Sequence, residues 1–343
     1  MSVNLKQLAE SLGLSQTTVS RGLNNHSDVS EATRRRVKQA AERLNYRPNA
    51  RAMSLATGKS RTIGHVIPSN TQHEMVNPIF GDFVAGASSV YAKHGYNMLV
   101  SRVDQGTETE VYSNLISSGA VDGIVIQGPS KKDLRIEQLI KLGAPFAVHG
   151  RSSEITAPYS WVDVDNQRAF ERATRLLLNF GHRKIALLNG LEHMDFADRR
   201  RKGFMQALKS EGFEADPDLM FSEEMTESYG YARTQELLSR DDAPTAIITS
   251  SYIAALGTRR AIEDAGLRMG RDISVVTHDD MLSYLPNGSV EPVFTATRSA
   301  VSEAGEKLAE MLIAQIKGES SQPESCLLEA DLVIGQSTGA CPR

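Results

Sequence analysis

Apolar residues in the first 45 or so positions recur with a helical period, and those further on bunch into short runs separated by amphipathic stretches. Leu5, Leu8, Ala9 and Leu12 stand at i, i+3, i+4 and i+7, one stripe of a helix. Asn4 with Gln7 three residues on predicts a capping box at its start, and Gly13 predicts its end. Leu14 packs, and Ser15 predicts the cap of a second helix from Gln16 to about Leu23, with Val19 and Leu23 facing inward. Two short helices joined by a Gly-containing turn make a helix-turn-helix. Ser30 caps a third helix whose Val37, Ala40, Ala41 and Leu44 close a small core, and Tyr46 and Pro48 end it.

The later runs include IGHVI (63–67), YNMLV (96–100), GIVI (123–126), PFAVH (145–149), KIALLNG (184–190), AIITS (246–250) and ISVVT (273–277). Helical segments such as PIFGDFVAGASSVYAKHG and AFERATRLLLNFGH lie between them. That alternation predicts βαβ units and parallel sheets. More than 270 residues of it predict two doubly wound lobes, with a ligand site in the cleft at the carboxyl ends of the strands.

Charge separates the same two regions. Residues 1–61 hold 11 Lys/Arg and four Asp/Glu, a net +7, whereas the other 282 hold 27 and 38, a net −11. A basic head on an acidic body points to a polyanion partner for the head. Cys326 and Cys341 form neither a CxxC nor a His-rich cluster, so two free thiols in a reducing compartment are expected, with no metal and no cofactor. The chain opens SVNLKQLAE without an apolar leader, and no run of 18 apolar residues could span a bilayer. A cytoplasmic location is expected.

On the second helix, Gln16, Thr17, Thr18, Ser20 and Arg21 are left on the outer faces. A major-groove reader needs such groups: Gln bonds adenine bidentately, Arg bonds guanine, and Thr offers a hydroxyl and a methyl. The run LKQLAESLGLSQTTVSRGLNNHSDVSEATRRRVKQAAERLNYRPNARAMSL resembles the lac repressor/galactose repressor family nearly position by position. SxxTVSR, VSxxTRxxV, LNYRPN and AxxL all match in order and spacing. The resemblance implies base contact by Gln16, Thr17 and Arg21, and a hinge helix from Asn49 to about Thr57 that forms only on operator DNA. Leu55 takes the position that wedges into the minor groove; such a wedge unstacks a base step and kinks the duplex. The full DNA-contacting set is then Leu5, Ser15, Gln16, Thr17, Thr18, Ser20, Arg21, Asn24, Asn49, Arg51, Ala52 and Leu55.

The body is similar to the effector domain of that family and to periplasmic sugar-binding proteins, through GHRKIALLNG, RRRKGFMQAL, PTAIITSSYIAALG and ISVVTHDD. The implied organisation is a head at 1–48, a hinge and linker at 49–61, and an effector-binding and dimerisation domain at 62–343. Chain crossovers near 163, 295 and 322 give one lobe of about 62–163 with 296–322 and another of about 164–295 with 323–343. Implied effector residues are Ile79 and Phe80 of NPIF, Gln127, Arg151, Phe196, Asp198, Arg200, Met225, Ser251, Tyr252 and Asp279. Asp279 in HDD takes the place of an aspartate that binds sugar hydroxyls, a directional anchor. The match is uneven. Gly150 stands where the family commonly has Asp, Asp198 where Arg is more frequent, Ser251-Tyr252 for Asn-Asp, and Met225 for an aromatic.

GxSxG, GxxxxGK[ST], HExxH and a GxGxxG after the first strand are all missing, so no enzyme is expected. His182 and His278 each sit beside a strand, where a structural role is expected. LLEADLVIGQSTGACPR carries no leucine heptads of the kind tetrameric members append, which predicts a homodimer on a near-palindromic operator. HGRSS and ITAPYSWVDVDN look like segments from regulators of alpha-glucoside and related disaccharide uptake operons, which implies a mono- or disaccharide effector such as an alpha-glucoside. Other readings stay open: a regulator answering to a non-sugar metabolite, a sugar-binding transport component, or a sugar-modifying enzyme using Asp279 with Asp198.

Overall fold

The computed structural model of the protein describes residues 3–46, 58–68, 76–103 and 107–342. Two compact units divide the chain at Arg61/Thr62. In the first unit, α1 (Leu5–Leu12), α2 (Gln16–Leu23) and α3 (Glu31–Arg43) pack around Leu8, Ala9, Leu12, Val19, Val37, Ala40 and Ala41. The predicted capping box is present: Gln7 N donates to Asn4 Oδ1 and Asn4 N to Gln7 Oε1, both at 2.9 Å. Ser15 and Ser30 cap the next two helices, accepting from Thr18 N at 3.0 Å and Thr33 N at 3.3 Å. Gly22 lets α2 press on α3, since a Cβ there would stand 3.3 Å from Val37 Cγ2. One of the head's cations is structural, for Arg36 Nη2 donates to the Leu12 carbonyl at 2.8 Å and ties α3 to the end of α1.

The second unit begins with β1 (Thr62–Pro68), α4 (Pro78–His94), β2 (Asn97–Val103), α5 (Glu108–Ser117), β3 (Gly123–Gln127), α6 (Leu134–Leu142), β4 (Phe146–His149) and β5 (Ser160–Val164). It continues through α7 (Asn166–Asn179), β6 (Ile185–Asn189), α8 (Asp195–Ser210), β7 (Met220–Ser222), α9 (Glu227–Leu238), β8 (Ala246–Thr249) and α10 (Tyr252–Asp264). Last come β9 (Ser274–His278), the hairpin β10 (Met281–Leu282) and β11 (Leu285–Pro286), β12 (Thr295–Arg298), α11 (Val301–Lys317), β13 (Ser325–Leu328) and β14 (Asp331–Val333). Every strand-like run read from the sequence corresponds to one of these strands.

They form two six-stranded sheets, one ordered β13-β5-β4-β3-β1-β2 and the other β14-β12-β9-β8-β6-β7. The first is wholly parallel, and in the second only β14 runs against its neighbour. Helices cover both faces, as buried parallel sheets require. In the first lobe Ile63, Val125, Ala147 and Val162 face α4 and α11, while Ile124, Ile126 and Val148 face α5 and α6. In the second, Ile185, Leu187, Ile248 and Val276 meet α7 and α8, and Ala186, Leu188, Ile247 and Val275 meet α9 and α10. Gly203 brings α8 against α7, because a Cβ there would meet the Gln167 carbonyl at 2.0 Å.

The lobe boundaries differ from those expected. Thr295–Arg298 stays in the second-lobe sheet, pairing with β9, and Ser325–Leu328 pairs in parallel with β5 of the first. The third crossover therefore lies at Glu329–Ala330 rather than near 322. Only Glu329 and Ala330 separate the two strands, and packing divides them: Leu328 lies against the first-lobe core, Ala330 inside the second. Among the described residues no helix is long and apolar enough to cross a membrane.

Candidate functional site

On the head, Gln16, Thr17 and Arg21 are exposed along α2, with Thr17 and Arg21 one turn apart. Thr18 and Ser20 are half-buried; Asn24 is exposed and donates from Nδ2 to the Ser20 carbonyl at 2.9 Å. Arg21 is already held: its Nη1 lies 2.5 Å from Asp28 Oδ2, both side chains being about half exposed. Two of the expected contact residues serve the head itself. Leu5 packs against the core, and the Ser15 hydroxyl accepts from Thr18 N as the cap of α2. Asn49, Arg51, Ala52 and Leu55 lie outside the described residues.

In the body a cleft of ≈ 820 Å³ opens between the two lobes at the carboxyl ends of β1, β3, β4 and β6, with β9 and its following loop on the second-lobe side. Its most charged part comes from α8 and the end of β9. Arg200, 5% exposed, donates from Nε to Asn166 Oδ1 and from Nη1 to the Ser250 carbonyl, both at 2.7 Å. Its guanidinium centre sits 4.7 Å from the Phe196 ring centroid and 5.3 Å from that of Phe170. Burial lowers its pKa to about 10, against the pull of Asp279 and Asp163. Asp279 Oδ2 is 3.7 Å from Arg200 Nη2, too long for a hydrogen bond, while Oδ1 accepts from the Ser299 hydroxyl. Burial raises the Asp279 pKa, with Arg200 opposing.

The backbone contributes to that aim. Asp279 has φ 55, the left-handed region, which Asp tolerates better than most residues. His278 is buried beside it; burial drops its pKa well below the usual value, with Arg200 acting the same way. Its Nδ1 meets Thr297 Oγ1 at 2.7 Å. Its Nε2 lies 3.1 Å from Asp279 Oδ1 without hydrogen-bond geometry, so a neutral ring abuts the carboxylate rather than pairing with it.

Ile79, Phe80, Gln127, Phe196, Arg200, Met225 and Asp279 all line the cleft. Four expected residues do not. Asp198 turns aside to lysines, Lys131 Nζ at 2.6 Å and Lys202 Nζ at 2.7 Å. Burial works to raise the Asp198 pKa, but the two ammonium groups outweigh it and hold it low. Arg151 donates from Nε to Asp163 Oδ2 at 2.7 Å and stacks over Trp161. It therefore supports a carboxylate that lines the cleft rather than lining it. Ser251 is the cap of α10, and Tyr252 donates to the Pro286 carbonyl at 3.2 Å and meets Phe294 edge-on. The carboxylate pair imagined for an enzyme, Asp279 with Asp198, does not converge on one space.

The sequence reading missed His65, Phe83, His149, Asp163, Asn166 and Ser299, all of which line the cleft. For the histidines a signal was present, a polar residue inside or ending an otherwise apolar strand run, IGHVI or PFAVH. His182 is structural as read, its nitrogens meeting Thr245 Oγ1, Ser274 Oγ and the Gly339 carbonyl at 2.9–3.1 Å.

Residues 4–49 match the bacterial regulatory proteins of the lacI family, and residues 60–336 match the family of periplasmic binding proteins and sugar binding domain of LacI family. The HTH-type transcriptional regulator AglR of Rhizobium meliloti (strain 1021) is 43% identical over 342 residues, covering 100% of this chain and 96% of that one. The crystal structure of the lac repressor dimer bound to operator and the anti-inducer ONPF superposes with a TM-score of 0.84 at 28% identity, covering 99% of this chain and 100% of that one. The transcriptional regulator CelR–cellobiose complex gives 0.72 at 28% identity over 98% and 99%.

Proposed function

The chain belongs to the lacI family of bacterial regulatory proteins and is a DNA-binding transcription regulator, and we propose that it represses a carbohydrate uptake or catabolism operon under the control of an uncharged sugar. The observation that carries the sugar reading is the second-lobe wall of the cleft. There Asp279 Oδ2 receives no hydrogen bond from the described residues, beside an Arg200 anchored on Asn166 and Ser250 and backed by Phe196. A fixed carboxylate accepts from hydroxyls directionally, and an aromatic face suits the apolar side of a sugar ring. Cellobiose in the CelR complex supports a disaccharide, and the resemblance of HGRSS and ITAPYSWVDVDN supports an alpha-glucoside.

On the DNA side, Gln16, Thr17 and Arg21 read base edges in the major groove, and two heads of a cytoplasmic homodimer meet a near-palindromic site. The dimer in the lac repressor–operator structure supports that arrangement. A thermal-shift screen of sugars followed by an operator-binding assay tests the whole reading. A ligand at 100 times its Kd stabilises by about 2.7 kcal/mol. No sugar producing both a shift and a change in operator affinity would overturn the reading.

A further inference from the structure

The face of the first-lobe sheet that packs on α4 and α11 is apolar along most of its length and turns polar where its strands reach the cleft. Ile63, Val125, Ala147 and Val162 make the apolar part. His65 pairs in register with Val125, Val125 with Ala147, and Gln127 with His149. Side chains alternate with a period of two, so His65, Gln127 and His149 continue that same face. All three line the cleft.

Core packing does not account for them. His65 is 2% exposed; its Nε2 lies 3.0 Å from the Tyr91 hydroxyl, and its Nδ1 has no partner among the described residues. The Nε2 of Gln127 is buried and unpartnered in the same way. The His149 ring stacks on Phe83, centroids 4.5 Å apart at 21°, and its nitrogens make no hydrogen bond with the described residues. A buried parallel sheet is ordinarily apolar throughout, and unpaired buried polar atoms are costly, so two of them beside a half-buried imidazole at one sheet end point to a ligand that pairs them. Burial holds both imidazoles neutral, each at about 4. A neutral imidazole offers one donor and one acceptor, and a carboxamide offers both, which is the complement of a hydroxyl.

Two chemically different groups therefore face the cleft, the charged Arg200 and Asp279 of the second lobe and a neutral hydrogen-bonding strip at the ends of β1, β3 and β4 of the first. Its ≈ 820 Å³ lies high in the range of about 300–1,000 Å³ that small-molecule sites occupy, room for two sugar rings. We propose that His149, Gln127 and His65 form a hydroxyl-binding subsite that holds the second ring of a two-ring glycoside, while Asp279 and Arg200 hold the first. This rests on the sugar reading above and assigns it a ring number and a specificity wall.

Isothermal calorimetry on the full-length protein tests it, with glucose and galactose as one-ring probes and maltose, trehalose, sucrose, melibiose and cellobiose as two-ring probes. His149→Phe keeps the stack on Phe83 and removes the nitrogens; Gln127→Met removes the carboxamide; His149→Gln restores a donor and an acceptor. Wild type binds at least one disaccharide more tightly than either monosaccharide. The Phe and Met variants each lose about tenfold in disaccharide affinity, the order of one neutral hydrogen bond, with monosaccharide affinity changed less than about twofold. His149→Gln recovers most of the loss. Thermal midpoints and operator binding without sugar confirm that each variant is folded, and the two positions test the wall independently. Equal losses for one-ring and two-ring sugars, or none at all, overturn the subsite while leaving the sugar reading intact. A wild-type protein that prefers monosaccharides does the same. Wild type binding none of the probes overturns the sugar reading and the subsite with it.

Discussion

Lys131, on the loop after β3 of the first lobe, places its Nζ 2.6 Å from Oδ1 of Asp198, on α8 of the second. The pair spans the edge of the cleft, next to Asp195, whose carboxylate accepts from Ser153 N at 2.5 Å and whose own N donates to the Pro129 carbonyl at 2.9 Å. Asp82 on α4 accepts from Ser283 N of the β10–β11 hairpin at 2.8 Å, so a further contact joins the lobes. Lobe closure is thus built partly from contacts that need no ligand. The Lys131 side chain is 38% exposed, so solvent screens the pair, and its worth is about 0.5 kcal/mol. Lys131→Ala should weaken effector affinity by roughly twofold, chiefly through faster dissociation. Stopped-flow kinetics checks this, and an unchanged off-rate would remove Lys131 from the closure.

Arg200 and Asp279 are both buried, and removing one charge of such a pair leaves the other uncompensated. Asp279→Asn should lower stability by about 3 kcal/mol and abolish the effector's action on DNA binding, with operator affinity in its absence nearly intact. Calorimetry that finds normal effector binding by this variant would refute the anchor role.

His65 and His149 give the body a pH dependence whose sign follows from their surroundings. Burial lowers both from 6.5 to about 4, so between those values the unfolded chain binds more protons than the folded one. Stability is therefore complete above pH 6.5 and falls as pH drops toward 4, by at most about 3 kcal/mol for His65. Replacing the buried His65–Tyr91 pair by Leu and Phe together should make the fall of the thermal midpoint from pH 7.5 to 5 shallower, with His149 and His278 supplying the remainder. A curve as steep as that of wild type would assign the dependence to other groups.

Arg21 is paired with Asp28 before any DNA is met, and Gln16 is exposed on the same helix with no such ion pair among the described residues. Alanine at either position should cost about 1–3 kcal/mol on the selected operator and little on random duplex. Competitive binding on the two DNAs, repeated across salt concentrations, separates base readout from phosphate contact. Equal losses on both would mean phosphate contact only.

The sequence by itself determined the head, its caps and the alternating body, because these depend on neighbours a few residues apart. Asn4 bonds Gln7, Ser15 bonds Thr18, and the β-branched run GIVI forms the strand that its flanking helical stretches predict. It also named Phe196, Arg200, Met225 and Asp279 of the second-lobe wall, since they stand in recognisable local motifs. Tertiary structure alone decided where a polar side chain points once two partners compete for it. Asp198 could serve a ligand or a lysine, and Lys131, 67 positions earlier in the chain, took it; Arg151 went to Asp163, Tyr252 to Pro286. The crossover at Glu329–Ala330 was hidden, and of the polar end of the first-lobe sheet the sequence shows only single polar residues in apolar runs, not their convergence. Both depend on strand register, which brings His65, Gln127 and His149 onto one face from three separate runs. Local spacing cannot encode that, because the free energy that sets it is released only when distant strands pair and exclude water between them.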